Sequence, residues 1–125
     1  MNATPLVLLV DDYPDTRDLY GTYLRTRGYR TEEAEDGVEG LAKAIDLHPS
    51  VVLMDLAMPN MNGWDATRLM KGDPRTTSIP VICLTAHGRD EFRKSAFDAG
   101  CVGFLTKPCL PSEVLREVQR VLSAT

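Results

Sequence analysis

The chain has 125 residues, 43% of them hydrophobic and 26% charged, and carries a formal net charge of −4. That length fits one domain with a real core, residues 1–125, and leaves no space for a second. The acidic balance and scattered basic residues exclude a stripe for neutralising nucleic-acid phosphates, and no apolar run approaches a membrane span.

Met1-Asn-Ala-Thr-Pro5 has no basic residue ahead of the first apolar run, Leu6–Val10, which ends in Asp11-Asp12. The run therefore predicts a strand rather than a signal peptide or anchor, and a cytoplasmic setting follows by default. Pro14 suits the first turn of a helix ending near Gly28, with Leu19, Tyr20, Tyr23 and Leu24 on its inner face. Arg30–Ala34 predicts a second strand, polar at alternate positions as an edge strand is. Val38, Leu41, Ala42 and Ile45 then fall at helical spacing. Val51–Met54 predicts a strand that closes on Asp55, followed at once by Leu56-Ala-Met-Pro59. A helix is expected from Gly63 to about Gly72, then a strand at Val81–Leu84 that hands over to Thr85. Phe92, Ala96 and Ala99 mark the fourth helix, Gly103–Thr106 the last strand, ending at Lys107. Pro111 opens a final helix whose Val114, Leu115, Val118, Val121 and Leu122 repeat the helical spacing. Cys83, Cys101 and Cys109 are odd in number and lack paired metal spacing, so reduced thiols packed as small hydrophobes are expected rather than a disulfide or zinc site.

Strands alternating with helices predict an α/β architecture: a doubly wound, five-stranded parallel sheet with helices on both faces. The best-attested order for such a chain is the flavodoxin-like 2-1-3-4-5, which sets the first and third strands side by side. Asp11, Asp12 and Asp55 then meet at the carboxyl edge, where ligands of open α/β sheets bind. Three clustered carboxylates need a proton or a cation, and oxygen ligands without His or Cys suit Mg²⁺. One acid can then act as nucleophile toward a phosphoryl group, with Lys107 and Thr85 offering a positive charge and a hydroxyl. Taken singly, the residues have plainer uses: Asp11 or Asp12 caps the helix at Pro14, Thr85 sits in a turn, and Lys107 is solvated.

Val10-Asp11-Asp12, Leu53-Met54-Asp55-Leu-Ala-Met-Pro59 with Gly63, Leu84-Thr85-Ala86 and Leu105-Thr106-Lys107-Pro108 resemble the receiver domain of two-component response regulators. The likeness extends over essentially the whole chain and is of the chemotaxis, single-domain type. It implies that Asp55 is the phospho-acceptor, and that Asp11, Asp12, Asp55 and the main-chain carbonyl of Ala57 hold Mg²⁺. It also implies that Lys107 and Thr85 contact the phosphoryl group, with the Lys107–Pro108 bond cis. Donors in that family are phosphohistidines of a sensor histidine kinase or a histidine phosphotransfer domain. Phe104 matches the family's switch aromatic by position: when Thr85 moves toward the phosphoryl group, the ring turns into the vacated space. Ala86 is small enough to allow this, and Gly88 lets the loop adjust. The face of the fourth helix, fifth strand and fifth helix would then present different surfaces to a downstream protein. Ala57 and His87 occupy the positions that tune phosphoryl lifetime; Ala57 brings no functional group, and the role of His87 is open. Trp64, beside Gly63, either reports on the site by fluorescence or packs the third helix.

Two enzymatic or redox rivals fit less well. An aspartyl-phosphate phosphohydrolase carries a second acid two residues after its nucleophile, where this chain has Ala57. A flavin carrier needs a phosphate-cradling, glycine-bearing loop after the first strand, where this chain has Asp11-Asp12-Tyr13-Pro14. A receiver that works without phosphorylation is disfavoured by the full set of site residues. The chain is thus expected to be no enzyme beyond its own phosphorylation and slow dephosphorylation. It ends at Leu122-Ser-Ala-Thr125, directly after the last helix, either as a stand-alone regulator or as part of a larger protein.

Overall fold

Strand and helix alternate along the whole chain: β1 (Leu6–Val10), α1 (Pro14–Thr26), β2 (Arg30–Ala34), α2 (Gly37–Leu47), β3 (Val51–Asp55), α3 (Gly63–Gly72), β4 (Val81–Thr85), α4 (Asp90–Ala99), β5 (Gly103–Thr106) and α5 (Pro111–Ser123). These come from a computed structural model that describes residues 4–86 and 88–124. The five strands are parallel in the order β2-β1-β3-β4-β5, as the alternation predicts. β3 and β4 each run one residue beyond the apolar stretch, so Asp55 and Thr85 are the last residues of their strands and not the first of the loops. β1, β3 and β4 are buried at every position, whereas β2 at the edge alternates exposed and half-buried side chains until Ala34.

Alternate strand residues point to opposite faces of the sheet and make two cores. On one face Val7, Leu9, Leu53, Ile82 and Leu84 pack against Tyr20 and Leu24 of α1 and Val114, Val118 and Val121 of α5. On the other, Leu8, Val10, Met54, Val81 and Cys83 meet Ala44 of α2, Ala66 and Met70 of α3, and Ala96 of α4. Each fully buried aliphatic side chain of this kind contributes roughly 1.5–3 kcal/mol.

Two helices sit differently from their apolar spacing. α2 turns Gly37, Gly40 and Ala44 inward, leaving Val38 exposed and Leu41 and Ile45 half-buried. The cause is close approach: a Cβ on Gly40 would lie 3.0 Å from both methyls of Val10, and one on Gly37 would lie 2.5 Å from the Met61 carbonyl oxygen. The smallest residues therefore face the sheet, and the larger apolar ones flank it. On α1, Leu19 is exposed and Tyr23 half-buried, while Tyr20 and Leu24 carry the packing.

The cysteines correct a second expectation. Cys109 is a buried free thiol, but Cys83 and Cys101 form a disulfide, with sulfurs 2.16 Å and Cα atoms 6.3 Å apart. Cys83 lies in β4 and Cys101 just ahead of β5, its neighbour in the sheet, which brings together residues that their 18-residue separation does not link. Both are buried in the protein interior. Among the described residues, no helix is long and apolar enough to cross a membrane.

Candidate functional site

β1 and β3 pair in register up to Val10 and Met54, so the next residues of each strand, Asp11 and Asp55, emerge side by side. Asp12 joins them, and the three residues each present a carboxylate oxygen within 4.8 Å of the others'. Asp11 and Asp55 are buried and Asp12 is half-buried. The ammonium of Lys107 lies 2.7 Å from Asp11 Oδ2 and 3.8 Å from Asp55 Oδ2, so it bridges the two buried acids. Lys107 is held at that point by its backbone. Its N–H donates to the Thr85 carbonyl at 2.7 Å, and its bond to Pro108 is cis, as expected. Just beyond, the Tyr20 hydroxyl donates to the Cys109 carbonyl at 2.7 Å and pins the segment to α1.

The loops carrying the acids are braced from outside the site. Asp11 Oδ1 accepts from the Tyr13 N–H at 2.9 Å, while Arg17 donates from Nη1 to the Asp11 carbonyl at 2.6 Å and from Nε to Glu33 Oε1 at 2.8 Å. Asp36 caps α2 by accepting from the Glu39 N–H at 2.8 Å and also accepts from Asn60 Nδ2 at 2.7 Å. Asn60 stands at φ +68°, a left-handed conformation that Asn tolerates, and this aims its amide back at α2. The loop after Asp55 is thereby clasped to the start of α2. Gly63 closes it, its N–H donating to the Leu56 carbonyl at 3.0 Å.

Electrostatics single out Asp55. Burial, together with the neighbouring charge of Asp11, pushes its carboxyl well above the usual range, to about 7, against the opposing pull of Lys107 and the Ala57 N–H. One lysine does not neutralise the cluster. Asp12 Oδ1 is buried without a hydrogen-bond partner, which is costly unless something further binds there. Three oxygen donors with net negative charge and an orphaned carboxylate oxygen fit a small hard divalent cation such as Mg²⁺.

The family model for the response regulator receiver domain matches residues 7–119. The chain belongs to that family. It is 36% identical over 121 residues to the DNA-binding dual master transcriptional regulator RpaA of Synechocystis, a match that covers 97% of this chain and 50% of RpaA. The chain thus spans about half the length of that relative. Protein PilH of Pseudomonas aeruginosa is 35% identical over 94% of this chain and 97% of its own. Among solved structures, the receiver domain of sensor histidine kinase PA1611 from P. aeruginosa, with a magnesium ion coordinated in its active-site cleft, superposes with a TM-score of 0.89. It is 30% identical over 97% of this chain and 99% of that one.

The receiver's remaining candidate residues sit as follows. Thr85 is buried at the end of β4 and points to the same sheet face as Cys83, whose strand partner is Phe104. Phe104 is half-buried and packs on the core of that face. Ala57 is exposed, and its N–H reaches Asp55 Oδ1 at 3.4 Å. Trp64 packs against that same core and forms a tilted ring pair with Phe92, centroids 5.8 Å apart, which favours the packing role. His87 lies outside the described residues. Sequence reasoning missed the braces Arg17, Asp36 and Asn60. The first sits one turn into α1, with nothing local to mark it. Asp36 with Glu39 three residues on is a helix-start signature that was there to be read.

Proposed function

We propose that this receiver accepts a phosphoryl group on Asp55 from the phosphohistidine of a sensor histidine kinase or histidine phosphotransfer domain, and so switches a partner-binding surface. The observation that carries the reading is the placement of Asp55: a buried strand-end carboxylate among two further acids, with a bridging lysine. An Asp55 carboxylate oxygen attacks phosphorus while the phosphorus–nitrogen bond of the donor breaks; with the donor ring protonated on its other nitrogen, an acyl phosphate and a neutral histidine result. Lys107, already between Asp11 and Asp55, moves onto a phosphoryl oxygen, and the Thr85 hydroxyl donates to another. Asp11, Asp12, Asp55 and the Ala57 carbonyl would hold Mg²⁺ here, and the bound ion would supply neutralisation of the transferring group. The magnesium-bearing cleft of the PA1611 receiver supports that assignment.

Residues 1–125 act in this reading as a single receiver domain of the cytoplasm, where phosphoryl donors charged from ATP are made. It turns over no external substrate beyond its own phosphorylation and slow dephosphorylation. It meets its target through α4, β5 and α5, without contacting nucleic acid itself. The deciding experiment is incubation with acetyl phosphate and Mg²⁺ followed by intact-mass analysis. A phosphoryl increment in the wild type that is lost in Asp55→Asn is expected, and an unmodified wild type would sink the proposal.

The readout follows from the shared face of Thr85 and Phe104. As Thr85 moves toward the phosphoryl oxygens, the Phe104 ring turns inward behind it. Phe104→Ala should therefore leave acetyl phosphate labelling of Asp55 intact while removing most of the label-dependent change in hydrogen exchange along α4 and α5. It should likewise blunt discrimination by the downstream partner between the two states.

A further inference from the structure

Arg93 is exposed on α4 and lies over two aromatic rings. Its guanidinium carbon lies 5.5 Å from the ring centroid of Phe97, one helical turn on, and 5.7 Å from that of Phe104 in β5. Both distances fall within the range of cation–π attraction. On the α5 side it faces Glu117, whose carboxyl is held low by hydrogen bonds from Arg120 and, in smaller part, by the charge of Arg93. Arg120 in turn donates to the Val102 carbonyl just ahead of β5. Arg93 is thus a cation of α4 that lies over the β5 aromatic and within electrostatic reach of the α5 carboxylate.

We propose that Arg93 is a positioning residue that latches Phe104 in the half-buried orientation of this structure and so sets how much of the receiver is switched without phosphorylation. This rests on the switch role of Phe104 proposed above. The ring cannot turn inward beside Thr85 and keep its face under the guanidinium, so the attraction belongs to one state only. A contact present in one of two states biases their balance by its full free energy, whereas one made equally in both would shift nothing. At a partly exposed site the cation–π attraction corresponds to about threefold in that balance. Phe97 keeps Arg93 in place in both states, since the two lie on the same helix at i and i+4.

The test uses the full chain labelled with fluorophenylalanine, with the Phe104 resonance assigned by a Phe104→Leu variant. ¹⁹F spectra are recorded with and without acetyl phosphate and Mg²⁺, each variant being referenced to its own phosphorylated spectrum. Arg93→Met keeps the aliphatic stem and removes the cation. It should raise the inward population of the unphosphorylated protein about threefold, while Arg93→Lys restores most of the resting balance. A wild type in which acetyl phosphate moves Phe104, with Arg93→Met showing the same resting population as the wild type, overturns the latch and leaves the switch standing. A wild type in which Asp55 is labelled yet Phe104 stays put overturns both. Equal populations in Arg93→Met and Arg93→Lys, both raised, would assign the effect to guanidinium packing and overturn the cationic latch.

Discussion

Asp55→Asn should raise the stability of the Mg²⁺-free protein at pH 8 by about 2–4 kcal/mol, the upper figure being the full shift and the lower one allowing for solvent screening, and change it little at pH 4. The direction follows from the carboxyl of Asp55, pushed up to about 7 by burial and by Asp11. In the unfolded chain the same group loses its proton near the ordinary carboxylate value. Between those two points the native state holds a proton that the unfolded state has released, so stability falls as pH rises through the window. Above about 7 the loss is complete, and the native protein carries an ionised, poorly solvated carboxylate beside a second one. Asparagine has nothing to ionise, so its advantage grows from weakly acidic pH and levels off above neutrality. Urea melts of both proteins in EDTA at several pH values measure this; parallel curves across pH would refute it. With excess Mg²⁺ the ordering should narrow or reverse, because the cation binds the folded wild type and stabilises it by mass action, and Asn is the poorer ligand.

That result bears on why the proposed acceptor is built so expensively. An acid that repels its neighbours in the resting protein gains when a cation arrives, and the same strain makes the site responsive to charge. Lys107 compensates only in part, since it sits closer to Asp11 than to Asp55. The geometry leaves Asp55 as the less neutralised of the two buried acids, in keeping with the acceptor role proposed for it.

The strand ends were legible because a carboxylate, hydroxyl or ammonium closing an apolar run violates the local pattern, and such violations mark sites. Four of them, in an order that the crossover rule permits, were enough to place Asp11, Asp55, Thr85 and Lys107 along one edge. What was not legible depends on contacts between distant segments. Gly37 and Gly40 form the inner face of α2 only because Met61 and Val10 come too close for side chains. Spacing arguments weigh large apolar residues and so favoured Val38. Cys83 and Cys101 become partners through the β4–β5 pairing, and Arg17 finds the Asp11 carbonyl and Glu33 only once β2 lies beside β1. Asn60 reads as a turn residue from sequence; that its amide clasps Asp36 is a tertiary fact.

Gly63→Ala should cost about 3 kcal/mol or more and weaken Mg²⁺ binding at least tenfold, the largest penalty expected for adding one methyl group to this chain. A Cβ at this position would lie 2.2 Å from the Asp55 carbonyl oxygen and 2.8 Å from the Leu56 Cα. Both obstacles are backbone, so no side-chain rotation relieves the clash. Relief requires moving either the first turn of α3 or the Asp55-Leu56 segment. The first would break the Gly63 N–H bond to the Leu56 carbonyl and disturb the Asn62 cap, which accepts from the Asp65 N–H at 2.9 Å. The second would drag Asp55 and the nearby Ala57 out of register with Asp11. Either route couples a folding defect to a binding defect. Gly72 provides the control: it closes the same helix with nothing within 4 Å of an added Cβ, so Gly72→Ala should leave both properties near wild type. Denaturant melts give the stability difference, and calorimetric Mg²⁺ titration of the folded fraction gives the affinity. A Gly63→Ala protein that melts and binds like Gly72→Ala would mean that the loop after Asp55 does not approach α3 this closely, and the placement of Asp55 would have to be rebuilt.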